Sequence, residues 1–160
     1  MTARTWVLER RTARAPLTTN GYMRDPHGYG PKAGKILAAK KHADYDVTEE
    51  WRKWAAAEYA DRLWTPASGP VAVEVRALRK GRRNERIDVS AMFILAKAVI
   101  DGLTDAEMWP DDNDTVVEEM RLLPHLVVGE YGVRLTIREL TDEEIAWHDA
   151  ERGHRKATAE

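Results

Sequence analysis

Residues 86–119 read RIDVSAMFILAKAVIDGLTDAEMWPDDNDTVVEE, and the fold turns on how this stretch divides into elements. Met92, Phe93, Ile94, Leu95, Ala96, Ala98, Val99, Ile100 and Leu103 leave no polar stripe wide enough for a surface helix. A helix through roughly Leu103, buried on most sides, is expected. Asp88 is placed to cap its start and Gly102 to mark its exit. Lys97 and Asp101 are the polar exceptions, and their i, i+4 spacing puts them on one face, about 6 Å apart. Beyond the exit, Thr104 and Glu107 fit a capping box for a short turn that Pro110 stops. Asp111 and Asp112 therefore fall on a loop, and Thr115-Val116-Val117 opens a strand-like run after it.

Charge is distributed unevenly over this region. Between Ala98 and Met120 there is no lysine or arginine, whereas Asp101, Asp105, Glu107, Asp111, Asp112, Asp114, Glu118 and Glu119 all lie there. Two unit charges about 4 Å apart repel by on the order of 4 kcal/mol at an effective dielectric near 20, a cost that a cation removes. Oxygen donors without thiols suit a hard ion such as Mg²⁺, with Mn²⁺ as the alternative. The plainer reading of the same residues is a solvated acidic turn.

The string Lys97-Ala98-Val99-Ile100-Asp101-Gly102-Leu103-Thr104, followed by Trp109-Pro110-Asp111-Asp112 and an apolar run from Val116, resembles the RusA family of Holliday-junction resolvases. The family pattern has a lysine, an aspartate four residues later, a small residue with leucine, and paired aspartates about ten residues on. Asp88 fills an upstream acidic place. The family's asparagine is missing, since Ala91 stands there, and nine positions separate Asp88 from Lys97. The segment Pro16-Leu17-Thr18-Thr19-Asn20-Gly21-Tyr22 resembles the family's early proline, hydroxyl, asparagine and aromatic. The likeness covers residues 70–140 well and 1–69 poorly.

The rest of the chain supplies bounds. Its 160 residues, near-neutral net charge of −2 and lack of cysteine point to one domain, with no global field for nucleic acid and no thiolate chemistry. No apolar run reaches the length of a membrane span, and the sequence shows no basic-plus-apolar leader, so a cytoplasmic protein is expected. Thr5 to Glu9 reads as a strand, and Arg24 to Asp46, rich in Gly, Pro, Lys and Tyr, as a long mobile loop carrying Lys35. Its glycines do not make a P-loop, because Tyr29 and Ile36 stand where a glycine and a hydroxyl are needed. Val47 to Leu63 is helical, with Trp51, Trp54, Ala55, Tyr59 and Leu63 on a core face. Val71 to Leu78 alternates as a strand and ends in the basic run Arg79-Lys80-Gly81-Arg82-Arg83-Asn84-Glu85-Arg86. Met120 to Val128 and Tyr131 to Leu140 read as two further strands, then comes a helix capped by Thr141 with Glu144 three on, and a flexible tail at 156–160.

This order gives an α/β (α+β) domain over residues 1–155, a small mixed sheet flanked by helices. The buried helix is too apolar for one side of one sheet, so a dimer interface is expected to take the excess. The resemblance implies a homodimer as well, whose two-fold axis matches the symmetry of a four-way junction. It further implies Mg²⁺-dependent cleavage of branched DNA, with Asp88, Asp101, Asp111 and Asp112 as ligands and Lys97 at the scissile phosphate. Arg79, Lys80, Arg82, Arg83 and Arg86, with Asn20 and Lys35, would hold the DNA backbone. The alternatives are a non-catalytic DNA-binding relative and a small interaction protein whose apolar helix is its binding face.

Overall fold

The computed structural model describes residues 3–12, 33–81 and 93–157, with side chains at 3–12, 46–81 and 93–153. Chain order gives β1 (Thr5–Thr12), α1 (Ala33–Asp61), β2 (Val71–Arg79), α2 (Phe93–Asp105), β3 (Val117–Val127), β4 (Tyr131–Glu139) and α3 (Asp142–Ala157). The four strands form one mixed sheet in the order β1-β4-β2-β3, with β2 parallel to β3 and antiparallel to β4. A compact α+β fold results, of the class expected.

Period-two alternation sorts the sheet residues onto two faces. Trp6, Leu8, Val71, Val73, Val75, Ala77, Val133, Leu135 and Ile137 are buried together with the apolar residues of α1 and α2. The other face carries rows such as Val7–Thr136–Glu74–Arg121 and Glu9–Arg134–Arg76–Leu123. Glu74 and Arg76 share that face, as their spacing implies.

Helix α2 is buried at Leu95, Ala96, Ala98, Val99, Ile100, Gly102 and Leu103, nearly around its circumference. Its outer stripe is Phe93, Lys97 and Asp101. The surplus apolar surface is taken up inside the chain by α1, whose Trp51, Ala55 and Tyr59 join the same core. The apolar-excess reason for a dimer therefore falls away, and so does the reading of α2 as a partner-binding face.

Gly102 has a different job from the one expected. It lies inside α2, and a Cβ there would stand 2.1 Å from the Arg52 carbonyl oxygen and 3.1 Å from the Ala55 Cβ. Only glycine lets the two helices approach this closely. Nor do Thr104 and Glu107 form a capping box. The Thr104 hydroxyl donates to Ile100 O at 3.0 Å and accepts from Trp109 Nε1 at 2.7 Å, while Glu107 turns the chain at φ 60°.

Helix α1 starts at Ala33, so the loop expected over 24–46 is helical from that point. The run Ala33-Gly34-Lys35-Ile36-Leu37-Ala38-Ala39-Lys40-Lys41 is dominated by strong helix formers, and their propensity outweighs the turn residues just before it. At the other end, Leu63 is no core residue: it is 88% exposed, at φ 51°, past the helix terminus. Helix α3 extends through Ala157, into the stretch expected as tail. Its capping box is formed as anticipated, with Thr141 N donating to Glu144 Oε2 at 2.9 Å and Glu144 N donating to Thr141 Oγ1 at 3.3 Å.

Candidate active site

The outer stripe of α2 and the loop that follows it meet at one point. Lys97 Nζ donates to Asp101 Oδ1 at 2.5 Å and also to Asp112 Oδ2. Asp101 is brought there by the helical repeat. Asp112 is brought there by the chain turning back along α2 after Trp109, whose buried indole anchors the turn. The Lys97 side chain is half exposed, while Asp101 and Asp112 are about one-quarter exposed, at 28% and 26%.

The loop carrying Asp112 is held by its own polar groups. Asp111 accepts from Asp112 N at 2.8 Å and from Asn113 Nδ2 at 3.0 Å. Asn113 Oδ1 in turn accepts from Thr115 N and Oγ1, and its carbonyl accepts from Val116 N and Val117 N, which leads into β3. Asp111 thus braces the loop, while Asp112 faces Lys97.

Electrostatics follow from this contact. The hydrogen bond from Lys97 holds the Asp112 carboxyl below its ordinary range, against a smaller opposing effect of burial. Burial pulls the Lys97 ammonium down, but Asp101 and Asp112 together outweigh it and hold it above the usual lysine value. Lys97 and Asp112 are therefore both charged across neutral pH.

The acidic segment is otherwise neutralised from a distance. Arg52 of α1 donates to both oxygens of Asp105, at 2.5 and 2.7 Å, and that bond raises its own pKa, with a further contribution from Asp101. Arg152 of α3 donates to both oxygens of Glu118 at 2.7 Å and to Asp114 O at 3.1 Å. Arg121 pairs with Glu119. Sequence reading found no cation within the segment, and none of these partners lies in its interior. They come from elements 34 to 53 residues away or from its edge.

Asp88, Arg82, Arg83, Arg86 and Asn20 lie outside the described residues, as does the Lys35 side chain. Arg79 ends β2, with Lys80 just beyond it, and Arg79 O accepts from Val128 N at 3.1 Å. Of the residues expected at the site, Lys97, Asp101 and Asp112 come together and Asp111 stands beside them. Among the described residues, no three His, Cys, Asp or Glu side chains form a metal-binding group. The pair Asp101 and Asp112 nonetheless fits a hard cation: its donors are all oxygen, come from two separate segments, and converge on one positive charge, the Lys97 ammonium.

Scanned against protein-family models, the chain matches none, and a search of curated proteins finds no relative. Among the described residues, no helix is long and apolar enough to cross a membrane.

Proposed function

We propose that this chain is a Mg²⁺-dependent, structure-specific endonuclease of the RusA kind, a cytoplasmic homodimer that resolves four-way DNA junctions by paired symmetric nicks. The observation that carries this reading is the convergence of Lys97, Asp101 and Asp112, residues spread over sixteen positions, on the one polar stripe of an otherwise buried helix. Burying seven residues of α2 fixes the site on a rigid support, as catalysis requires.

Asp101 and Asp112 would hold the ion, joined by Asp88 and backed by Asp111. What Mg²⁺ supplies when bound is a lowered pKa for the attacking water and stabilisation of the leaving oxygen. Lys97 would place its ammonium at the scissile phosphate and offset the negative charge that develops there. Arg79 and Lys80, with Arg82, Arg83 and Arg86 following in sequence, would hold the phosphodiester backbone.

Incubation with a synthetic four-way junction, a linear duplex and Mg²⁺, read on a denaturing gel, tests this. Paired nicks in the junction alone are expected. Asp112→Asn should abolish nicking while leaving junction binding largely intact, and equal loss of both would remove Asp112 from the metal site.

One observation favours a second reading, a non-catalytic DNA-binding relative. Upstream of Lys97 the family's second acid is missing, and Ala91 stands in the place of its asparagine. Junction binding in the absence of metal, with no nicks in Mg²⁺ or Mn²⁺, would select it.

A further inference from the structure

The ammonium of Lys97 bonds Asp101 and Asp112 at once, so its charge occupies the position that a cation shared by those two carboxylates would take. Like charges at contact distance repel strongly in a partly buried setting. Lys97 and a divalent ion therefore compete for the same oxygens. Lys97 is also free to leave, since its side chain is half exposed, whereas Asp101 and Asp112 are more enclosed.

We propose, on the basis of the metal-site reading above, that Lys97 is a built-in counterion that closes the site in the free protein and is drawn off by a DNA phosphate. A phosphate oxygen offers the ammonium a charged acceptor outside the carboxylate pair. Once Lys97 turns to it, Asp101 and Asp112 face each other without a counterion, and their repulsion favours uptake of a divalent cation. Metal and DNA then load cooperatively, and linkage makes the effect reciprocal: metal must strengthen DNA binding by the factor by which DNA strengthens metal binding. The free protein stays poorly charged with metal until a substrate arrives.

The test is a Mn²⁺ titration followed by the paramagnetic resonance of free Mn²⁺. It is run on the wild type, Lys97→Met and Lys97→Gln, each with and without a four-way junction whose crossover linkages are phosphorothioates that resist cleavage. The junction's own Mn²⁺ uptake is subtracted. Without DNA, both variants should bind Mn²⁺ at least about fivefold more tightly than the wild type, within the usual range of coupling between sites. Adding the junction should tighten Mn²⁺ binding in the wild type by a further factor of about five over whatever tightening both variants show, since phosphate oxygens that ligate the ion act alike in all three. Two substitutions guard against a misfolded one, and the exposure of Lys97 keeps either from opening a cavity.

If Mn²⁺ binds the wild type and the variants equally well, or the variants more weakly, the counterion role is overturned while the metal site survives. Should no protein bind Mn²⁺ with or without the junction, the metal-site reading fails and takes this inference with it.

Discussion

Glu139 is the most heavily bonded carboxylate among the described residues. It accepts from Arg4 Nε at 3.0 Å, Arg4 Nη2 at 2.5 Å, Ser68 N at 2.8 Å and Ser68 Oγ at 2.9 Å, tying the start of β1 and the turn before β2 to the end of β4. The Arg4 bond, helped by Ser68, holds its pKa at about 2, below the ordinary 4.5. Because the folded value is depressed, the stabilisation is in force above pH 4.5 and is withdrawn as the pH falls towards 2. Glu144, held at about 2 by Arg138 and the Thr141 backbone, acts in the same window. Glu139→Gln should cost on the order of 2 kcal/mol at pH 7, and the deficit should shrink as the pH approaches 2. Denaturant midpoints at pH 7, 4, 3 and 2 check this, and a deficit that stayed constant would refute it. At this scale the sequence was legible where a contact follows from helical spacing, as for Lys97 with Asp101 or Thr141 with Glu144. Glu139, by contrast, bonds to Arg4 across 135 positions, and no local pattern marks it.

Gly102 governs the contact between α1 and α2. A methyl group 2.1 Å from the Arg52 carbonyl oxygen cannot be accommodated by a side-chain adjustment, because the obstacle is backbone. Gly102→Ala should cost roughly 3 kcal/mol, the upper end for overpacking, and lower the melting temperature by roughly 2–4 °C per kcal/mol. It should also pull Arg52 away from Asp105. Gly153 in α3, where an added Cβ would meet nothing within 4 Å, is the control, and Gly153→Ala should leave stability equal or up to about 1 kcal/mol higher. Similar melting of the two variants would mean that the helices separate easily. The apolar composition of α2 made its burial legible from sequence. What covers its second side was not, because Trp51, Ala55 and Tyr59 of α1 join the same core as α2 from a segment far away in sequence, a pairing that no local pattern marks.

The whole molecule is organised by the position of β2 between β3 and β4, two strands adjacent in sequence. Both were readable as strands, yet nothing local says that a third separates them, because that is settled by long-range pairing. The link Val128–Glu130, with Gly129 at φ 81°, must cross the end of β2. Two strand spacings amount to about 9.6 Å, and the four steps from Val127 to Tyr131 span at most about 14 Å. Deleting Gly129 cuts that reach to about 11 Å, little more than the gap itself, and should strain the pairing of β4 and lower stability. Inserting two glycines there should cost less than about 1 kcal/mol, since loop closure depends weakly on length. Circular dichroism and urea melts of the two variants would distinguish a taut link from a slack one.

That link also dictates an order of assembly. A hairpin of residues 117–139 alone would have to open again before β2 could enter between its strands, and β2 is joined to β3 only through the stretch that contains α2. Folding must therefore wait for contacts made across the length of the chain, the slow case among small domains. A fragment that begins after β2 has no route to this sheet, so the helix bearing Lys97 and Asp101 and the loop bearing Asp112 mature together with the scaffold, never ahead of it.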